Sequence, residues 1–197
     1  MSNLVVYIHG AGGNADEANH YKSLFPQHHV IGFDYKAETP WEAAIEFKEF
    51  FETVGRDYDS VILIANSIGA FFSMHALNHV GIEKAYFISP IVDMEGLISN
   101  MMQWAGVSET DLQKEGIIHT DFGQDLSWEY LIWVRANPIS WTVPSSILHG
   151  GKDNMQSVET VSSFAKSIGA DFTNWEDGEH WFHTAEQMAV LDRWICE

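Results

Sequence analysis

The chain alternates between short runs of consecutive apolar residues and longer segments in which apolar residues recur every three or four positions. The short runs are typical of strands buried on both faces of a sheet, and the longer segments of amphipathic helices. We predict strands at residues 4–8, 29–33, 61–65, 84–88, 146–148 and 171–175. We predict helices at residues 16–25, 41–54, 70–77 and 157–168, and a last helix after a capping box at Thr184 and Gln187. The helix at residues 41–54 is predicted to be amphipathic, because its apolar residues recur at helical spacing: Trp41, Ala44, Ile45, Phe47, Phe51 and Val54.

This alternation of strand and helix predicts an α/β fold with a mostly parallel, doubly wound sheet of about six strands. A length of 197 residues fits a single domain over residues 1–197. The alternation is interrupted at residues 93–141, a segment too long and too apolar for a simple crossover between two strands. We interpret this segment as a small helical insertion, and its position makes it a candidate lid.

The charge balance narrows the classes of partner. The chain has 10 basic and 28 acidic residues, hence a net charge of −18, which argues against nucleic acid as a partner because such binding depends on Lys and Arg.

Other features bear on the compartment. Cys196 is the single cysteine, which excludes an intrachain disulfide and fits a reducing compartment. The N-terminal apolar run is too short for a signal peptide, and no run approaches the roughly 20 residues that span a bilayer. We expect a soluble, cytoplasmic protein with a small-molecule partner and no membrane insertion.

The end of the apolar run at residues 61–65 carries the first candidate for chemistry. The run stops at Ser67, and Gly69 follows two positions later. A strand that turns abruptly into a helix holds the turn residue in a strained conformation, and its neighbours two positions away must be small, as Ala65 and Gly69 are. The amide of Ile68 would then point at an oxyanion on a substrate carbonyl. The alternative is a serine that only caps the next helix.

The loop after the first predicted strand reads HGAGGN and could supply a second amide for an oxyanion. We assign this amide to Ala11, with Gly12 as the alternative. A phosphate-binding loop is disfavoured, because the segment lacks the Lys-Ser/Thr pair of a P-loop and the spacing of a dinucleotide fingerprint. We interpret His9 as a structural residue that braces the loop.

Two more polar groups follow predicted strands. Asp153 comes after the strand at residues 146–148 and a glycine turn, and His180 comes after the strand at residues 171–175. Each has an ordinary interpretation when taken alone, the first as a solvated turn residue and the second as a packed or exposed histidine.

Together these motifs resemble the α/β-hydrolase superfamily, in which nucleophile, acid and histidine follow in this chain order. Ser67, Asp153 and His180 keep the order, each after its own strand. The segments GKD and GEHWF, which contain Asp153 and His180, match the Gly-x-Asp and Gly-x-His-x-Phe patterns of the superfamily. The resemblance covers residues 4–195 and implies a truncated form of the fold that begins at its third strand. Ala65 stands where the usual elbow has its first glycine.

The resemblance implies a serine hydrolase that cleaves a small or medium carboxylic ester and needs no metal or organic cofactor. Ser67 would be the nucleophile, His180 its base and Asp153 the acid that orients the base, while the amides of Ala11 and Ile68 hold the oxyanion. The alternatives are a catalytically silent ligand-binding member of the same fold, a serine peptidase and a thioesterase.

Alternatives also remain for single positions. His183 could replace His180 as the base, and Asp93 lies where some superfamily members carry the acid. A metal site at His180 and His183 is a third interpretation, although no further clustered ligand follows them.

The insertion supplies candidate pocket residues, because its Met101, Trp104 and Trp128 could form an apolar roof over a substrate. They could equally pack the insertion onto the sheet. Exposed tryptophans there could also serve a homodimer contact.

Overall fold

The computed structural model describes residues 3–78 and 80–197. The chain divides into two compact units. The first, which we call the sheet unit, comprises the residues up to Val92 together with Ser140–Glu197. The second, the helical unit, is Asp93–Ile139. Its function as a lid stays a prediction.

Eight strands are described. In chain order they are β1 Asn3–Ile8, β2 His29–Phe33, β3 Ser60–Asn66, β4 Ile82–Ile88, β5 Ile117–Ile118, β6 Leu126–Ser127, β7 Ser145–Gly150 and β8 Asp171–Trp175. Six of them form one sheet in the order β2-β1-β3-β4-β7-β8, with every pair parallel. The predicted α/β fold with a six-stranded parallel sheet is therefore confirmed.

The described α-helices are longer than one turn and begin at clear capping signals in most cases. They are α1 Pro40–Val54, α2 Ile68–Ala76, α3 Met94–Ala105, α4 Glu109–Glu115, α5 Trp128–Ala136, α6 Val158–Ile168 and α7 Ala185–Cys196. The capping box predicted at Thr184 and Gln187 is present at the start of α7. None of the helices in the described residues is both long and apolar enough to cross a membrane.

The central strands carry the core of the sheet unit. The apolar residues of β1 from Leu4 to Ile8 are almost completely buried, and so are Leu63, Ile64 and Ala65 of β3. Burial on both faces explains the continuous apolar runs, because helices cover both sides of a parallel sheet. These two central strands lead directly into the candidate site, because Ile8 precedes the HGAGGN loop and Asn66 precedes Ser67.

Two local predictions need correction. Spacing places Ile45 with Phe47 on the apolar face of α1, but Ile45 is 64% exposed. Residues two positions apart lie about 200° apart around a helix, so the buried face instead runs through Ala43, Phe47 and Phe51. The helix predicted at residues 16–25 is a 3-10 helix at Ala15–Ser23.

The helical unit combines α3, α4 and α5 with an antiparallel pair of β5 and β6. Arg135 of α5 joins all three helices: its Nε donates to Glu95 of α3 at 2.7 Å, and its two terminal nitrogens donate to Glu109 of α4 at 2.7 and 2.9 Å. Such a bidentate pair fixes geometry better than a single contact, although at an exposed site it adds little stability.

Candidate active site

Ser67 lies at the turn between β3 and α2 and has a strained backbone. Its φ and ψ angles are 52° and −121°, a region that a residue with a side chain rarely adopts. The turn is held by a hydrogen bond from the Ser67 amide to the Ile88 carbonyl at 3.0 Å and by one from the Ile91 amide to the Ser67 carbonyl at 3.2 Å. Strain of this kind costs about 1–3 kcal/mol and persists only where the surroundings impose it.

Close packing around the turn explains why its neighbours are small. A Cβ atom on Gly69 would lie 2.3 Å from the carbonyl oxygen of His9, and one on Gly10 would lie 3.0 Å from the Cβ of Ser67. Ala65 is completely buried, and only its methyl group fills that position. A glycine is therefore required at position 69, because the first loop approaches it closely.

A chain of two hydrogen bonds connects Ser67 with a histidine and a carboxylate. Ser67 Oγ lies 2.8 Å from His180 Nε2, and His180 Nδ1 lies 2.7 Å from Asp153 Oδ2. The Asp153 side chain is fully buried, and the His180 side chain is 16% exposed. The three residues lie 27 and 113 positions apart in the chain, and each follows the carboxyl end of a strand.

Several donors hold the Asp153 carboxylate in its charged form. Its Oδ1 accepts from the amides of Met155 at 2.7 Å and Gln156 at 3.2 Å, while its Oδ2 faces His180. Burial alone would raise the pKa of Asp153, but the hydrogen bonds from His180 and the two amides outweigh it and lower the pKa below its usual value. Asp153 is therefore ionised at neutral pH.

The loops that carry Asp153 and His180 are packed directly against each other. The Lys152 amide donates to the Gly178 carbonyl at 2.8 Å. A Cβ atom on Gly150 would lie 2.4 Å from the Glu179 carbonyl oxygen. This close backbone approach fixes the distance between Asp153 and His180.

A completely buried histidine also borders Asp153. His149 is completely buried, and its Nδ1 lies 3.7 Å from Asp153 Oδ2, beyond hydrogen-bond length. Burial lowers the pKa of His149 against the opposing attraction of Asp153, so its ring is neutral at pH 7. No pattern in the sequence distinguishes His149, since a histidine inside an apolar strand has no distinctive spacing.

The alternative acid and base have other contacts. His183 Nδ1 lies 2.8 Å from the Trp181 carbonyl oxygen, and its amide donates to the side chain of Gln187 at the start of α7. Asp93 caps α3 by accepting from the Gly96 amide at 2.8 Å. Among residues 3–78 and 80–197, no group of three or more His, Cys, Asp or Glu side chains is arranged to hold a metal ion.

Beside Ser67 lies a cavity of about 220 Å³. Its lining is formed by the first loop, the turn and the segment around His180: Gly10, Ala11, Gly12, Gly13, Glu17, Asn66, Ser67, His180 and Trp181. Ala11 thus borders the cavity, and Ile68 is the first residue of α2. Their assignment to an oxyanion hole stays a prediction.

His9 supports the first loop, as the sequence suggested. Its ring stacks on Tyr35 with centroids 4.3 Å apart, and its Nδ1 lies 2.9 Å from the Gly10 carbonyl oxygen. The Tyr35 hydroxyl donates to the His9 carbonyl oxygen at 3.0 Å. The loop therefore keeps its shape through contacts from the neighbouring part of the sheet unit.

Some residues of the cavity were not singled out from the sequence. Glu17 belongs to the capping box of the 3-10 helix, and Trp181 directly follows His180. Met101, Trp104 and Trp128, which the sequence suggested for the pocket, lie on α3 and α5 of the helical unit, and their role stays a prediction.

Comparisons with known proteins place this arrangement in a wider context. No model of a known protein family matches the chain. One curated relative, "Putative esterase/lipase 3" from Mycoplasma genitalium, is 33% identical over 76 residues. This match covers 37% of the chain and only 27% of the relative, so the chain aligns with about a quarter of that protein.

Solved structures match nearly the whole chain. Alpha/beta hydrolase domain-containing protein 10 from mouse superposes with a TM-score of 0.76 at 18% identity, covering 98% of this chain and 87% of that one. Est1E from Butyrivibrio proteoclasticus superposes with a TM-score of 0.77 at 14% identity, covering 99% and 86%. A structure of Est1E with bound ferulic acid has a TM-score of 0.72 at 14% identity, covering 98% and 87%. At such identities the likeness establishes the fold alone.

Proposed function

We propose that this chain, which has the α/β-hydrolase fold, is a serine hydrolase that cleaves a small or medium carboxylic ester through an acyl-enzyme intermediate. The observation that carries the proposal is the continuous hydrogen-bonded path from Ser67 through His180 to a buried, ionised Asp153. Such a path activates a serine hydroxyl, because the imidazole can accept its proton and the carboxylate stabilises the imidazolium that results. A serine that only caps a helix does not need a histidine nitrogen 2.8 Å from its hydroxyl oxygen.

Acylation begins when Ser67 Oγ attacks the carbonyl carbon of the ester and its proton moves to His180 Nε2. The carbonyl oxygen becomes an oxyanion, which accepts hydrogen bonds from the amides of Ala11 and Ile68. When the tetrahedral intermediate collapses, the bond to the alcohol breaks, and His180 returns the proton to the leaving oxygen. Asp153 keeps His180 in the tautomer that has its free lone pair on Nε2.

Deacylation repeats these steps with water. His180 Nε2 accepts a proton from a water molecule, whose oxygen attacks the acyl carbon bound to Ser67. A second oxyanion forms and collapses, the carboxylic acid leaves, and the proton returns to Ser67 Oγ. The cycle is balanced with one water consumed and needs only these side chains and amides.

The size of the cavity favours a small acyl compound. A volume of about 220 Å³ lies below the range of roughly 300–1,000 Å³ that is usual for drug-sized ligands. The binding of ferulic acid by Est1E, a structural neighbour, supports a small carboxylic acid as a product that this type of scaffold can hold. The similarity of part of the chain to "Putative esterase/lipase 3" from Mycoplasma genitalium supports the same reaction class.

The experiment is a hydrolysis assay with p-nitrophenyl acetate, butyrate and octanoate. We expect saturable release of p-nitrophenol, with kcat/KM highest for acetate or butyrate. The matching thioester and anilide of the best acyl group separate an esterase from a thioesterase or a peptidase. If folded protein gives no release above buffer for any of these compounds, the chain is a silent binding protein and the proposal is wrong.

A further inference from the structure

A second cavity adjoins the one at Ser67 and has a volume of about 310 Å³. It shares Glu17, Asn66 and Trp181 with the first cavity, so the two cavities meet at these three residues. We call it the side cavity. Its other lining residues include Tyr7, His20, Tyr21, Phe182 and His183.

The side cavity combines one carboxylate with several aromatic walls. Tyr7, Tyr21, Phe182 and Trp181 line it, and the Trp181 side chain is 62% exposed. Aromatic rings attract cations through their negative faces, and a carboxylate attracts them directly. Neutral apolar groups would pack against the rings equally well, but they would leave the negative charge of Glu17 without a cationic partner.

The Glu17 carboxylate retains free acceptor capacity. Its Oε2 accepts from the Tyr7 hydroxyl at 2.5 Å, and its Oε1 accepts from the Asn14 amide at 3.1 Å. An ionised carboxylate offers about four lone-pair sites, so these contacts position the group and leave room for a further donor. Both donors are neutral groups, so neither of them cancels the negative charge of the carboxylate.

The surroundings of the side cavity are negative overall. The pKa of Tyr21 is raised first by burial and then by the charges of Glu17 and Asp192. His20 pairs with Asp192 at 2.6 Å, and His183 lies 3.7 Å from Glu179, so each of these histidines has its own carboxylate. In the part of the chain that the structure describes, no lysine or arginine lines either cavity. The net charge of −18 would also attract cations at a distance.

From this combination we infer that the protein prefers esters with a positively charged ammonium group, which binds in the side cavity beside Glu17 and the aromatic rings. The inference deepens the proposed function and rests on it for the reacting centre. The ammonium group can belong to the alcohol part or to the acyl part of the ester, and the experiment distinguishes the two.

The test uses two pairs of isosteric esters. The first pair is acetylcholine, which carries the charge on its alcohol part, and its neutral isostere 3,3-dimethylbutyl acetate. The second is the p-nitrophenyl esters of 4-(trimethylammonio)butyrate and 5,5-dimethylhexanoate, which place it on the acyl group. We expect kcat/KM to be about tenfold higher for the cation in one pair, mainly through a lower KM, since one charge-assisted contact at a partly exposed site is worth about that factor.

Glu17→Gln should reduce this cation-to-neutral ratio to near one, because it removes the negative charge. The glutamine oxygen can still accept from the Asn14 amide in the capping box, and its NH2 group can donate to the Tyr7 hydroxyl where Oε2 accepted from it. Glu42→Gln is the matched control, since Glu42 fills the same position in the capping box of α1 and is exposed there. It should leave the ratio unchanged. A ratio near one for both pairs in the unaltered protein, or an undiminished ratio in Glu17→Gln, would overturn the inference.

Calorimetric titration of Ser67→Ala protein with choline tests the side cavity without turnover. We expect binding that weakens about tenfold when Glu17→Gln is added and that declines as salt is raised. Choline binding with no ester hydrolysis would contradict the proposed function alone. Ester hydrolysis with no preference for cations and no choline binding would contradict the side-cavity inference alone.

Discussion

Replacing Ser67 with alanine is expected to lower kcat/KM for the best p-nitrophenyl ester by about 10,000-fold or more. The change removes the oxygen that attacks the substrate, and water held near His180 is a much weaker substitute. The free energy of unfolding should change little, because alanine meets the same backbone strain at φ 52° and fits the same space. Initial rates over a range of ester concentrations, together with thermal unfolding of both proteins, measure the two effects.

The matched control for this change is Ser163→Ala, which removes an exposed serine from α6 and should leave both rate and stability unchanged. If Ser67→Ala protein retained more than a tenth of the turnover, the reaction would proceed without Ser67 as nucleophile. A simultaneous loss of fold would be visible in the unfolding curve and is not expected from the size of alanine.

Asp153→Asn is expected to lower kcat by about 10,000-fold with a smaller effect on KM. The new amide would direct an N–H group at His180 Nδ1, so the imidazole would have to carry its proton on Nε2. In this tautomer His180 cannot accept the proton of Ser67 at 2.8 Å. Asparagine can still accept from the amides of Met155 and Gln156, so the local backbone should stay in place.

Asp93→Asn tests the competing acid under the same conditions. Asparagine is as good a helix cap as aspartate, so the hydrogen bond to the Gly96 amide and the stability of α3 should be retained. We expect less than a twofold change in kcat. A large loss in Asp93→Asn with a small loss in Asp153→Asn would exchange the roles assigned to the two carboxylates.

Much of the fold follows from patterns that act over short distances. The predicted strand at residues 171–175 has the bounds of β8, and the predicted last helix begins at its capping box, because apolar runs and side-chain caps are local features. The predicted buried face of α1 is wrong at Ile45. This helix has apolar residues on both sides, and their spacing alone does not show which side is buried.

The candidate site shows the limit of the same reasoning. The sequence could indicate Ser67, Asp153 and His180, because each follows a strand and parallel strands end at one edge of a sheet. It could not indicate Glu17, Tyr7 and Trp181 as parts of a common cavity, since their proximity depends on how the first 3-10 helix packs against the sheet. One sign of this packing is that a Cβ atom on Gly32 would lie 1.9 Å from the Ala15 carbonyl oxygen.

The most direct measurement of the central claim is the intact mass of the folded protein after treatment with a fluorophosphonate, followed by peptide mapping of the adduct. A serine made nucleophilic by His180 and Asp153 attacks the phosphorus and displaces fluoride. We predict one adduct per chain, located on Ser67 and absent from Ser67→Ala protein. Folded protein that stays unmodified, or that carries its adduct on another residue while Ser67 is untouched, would contradict the account.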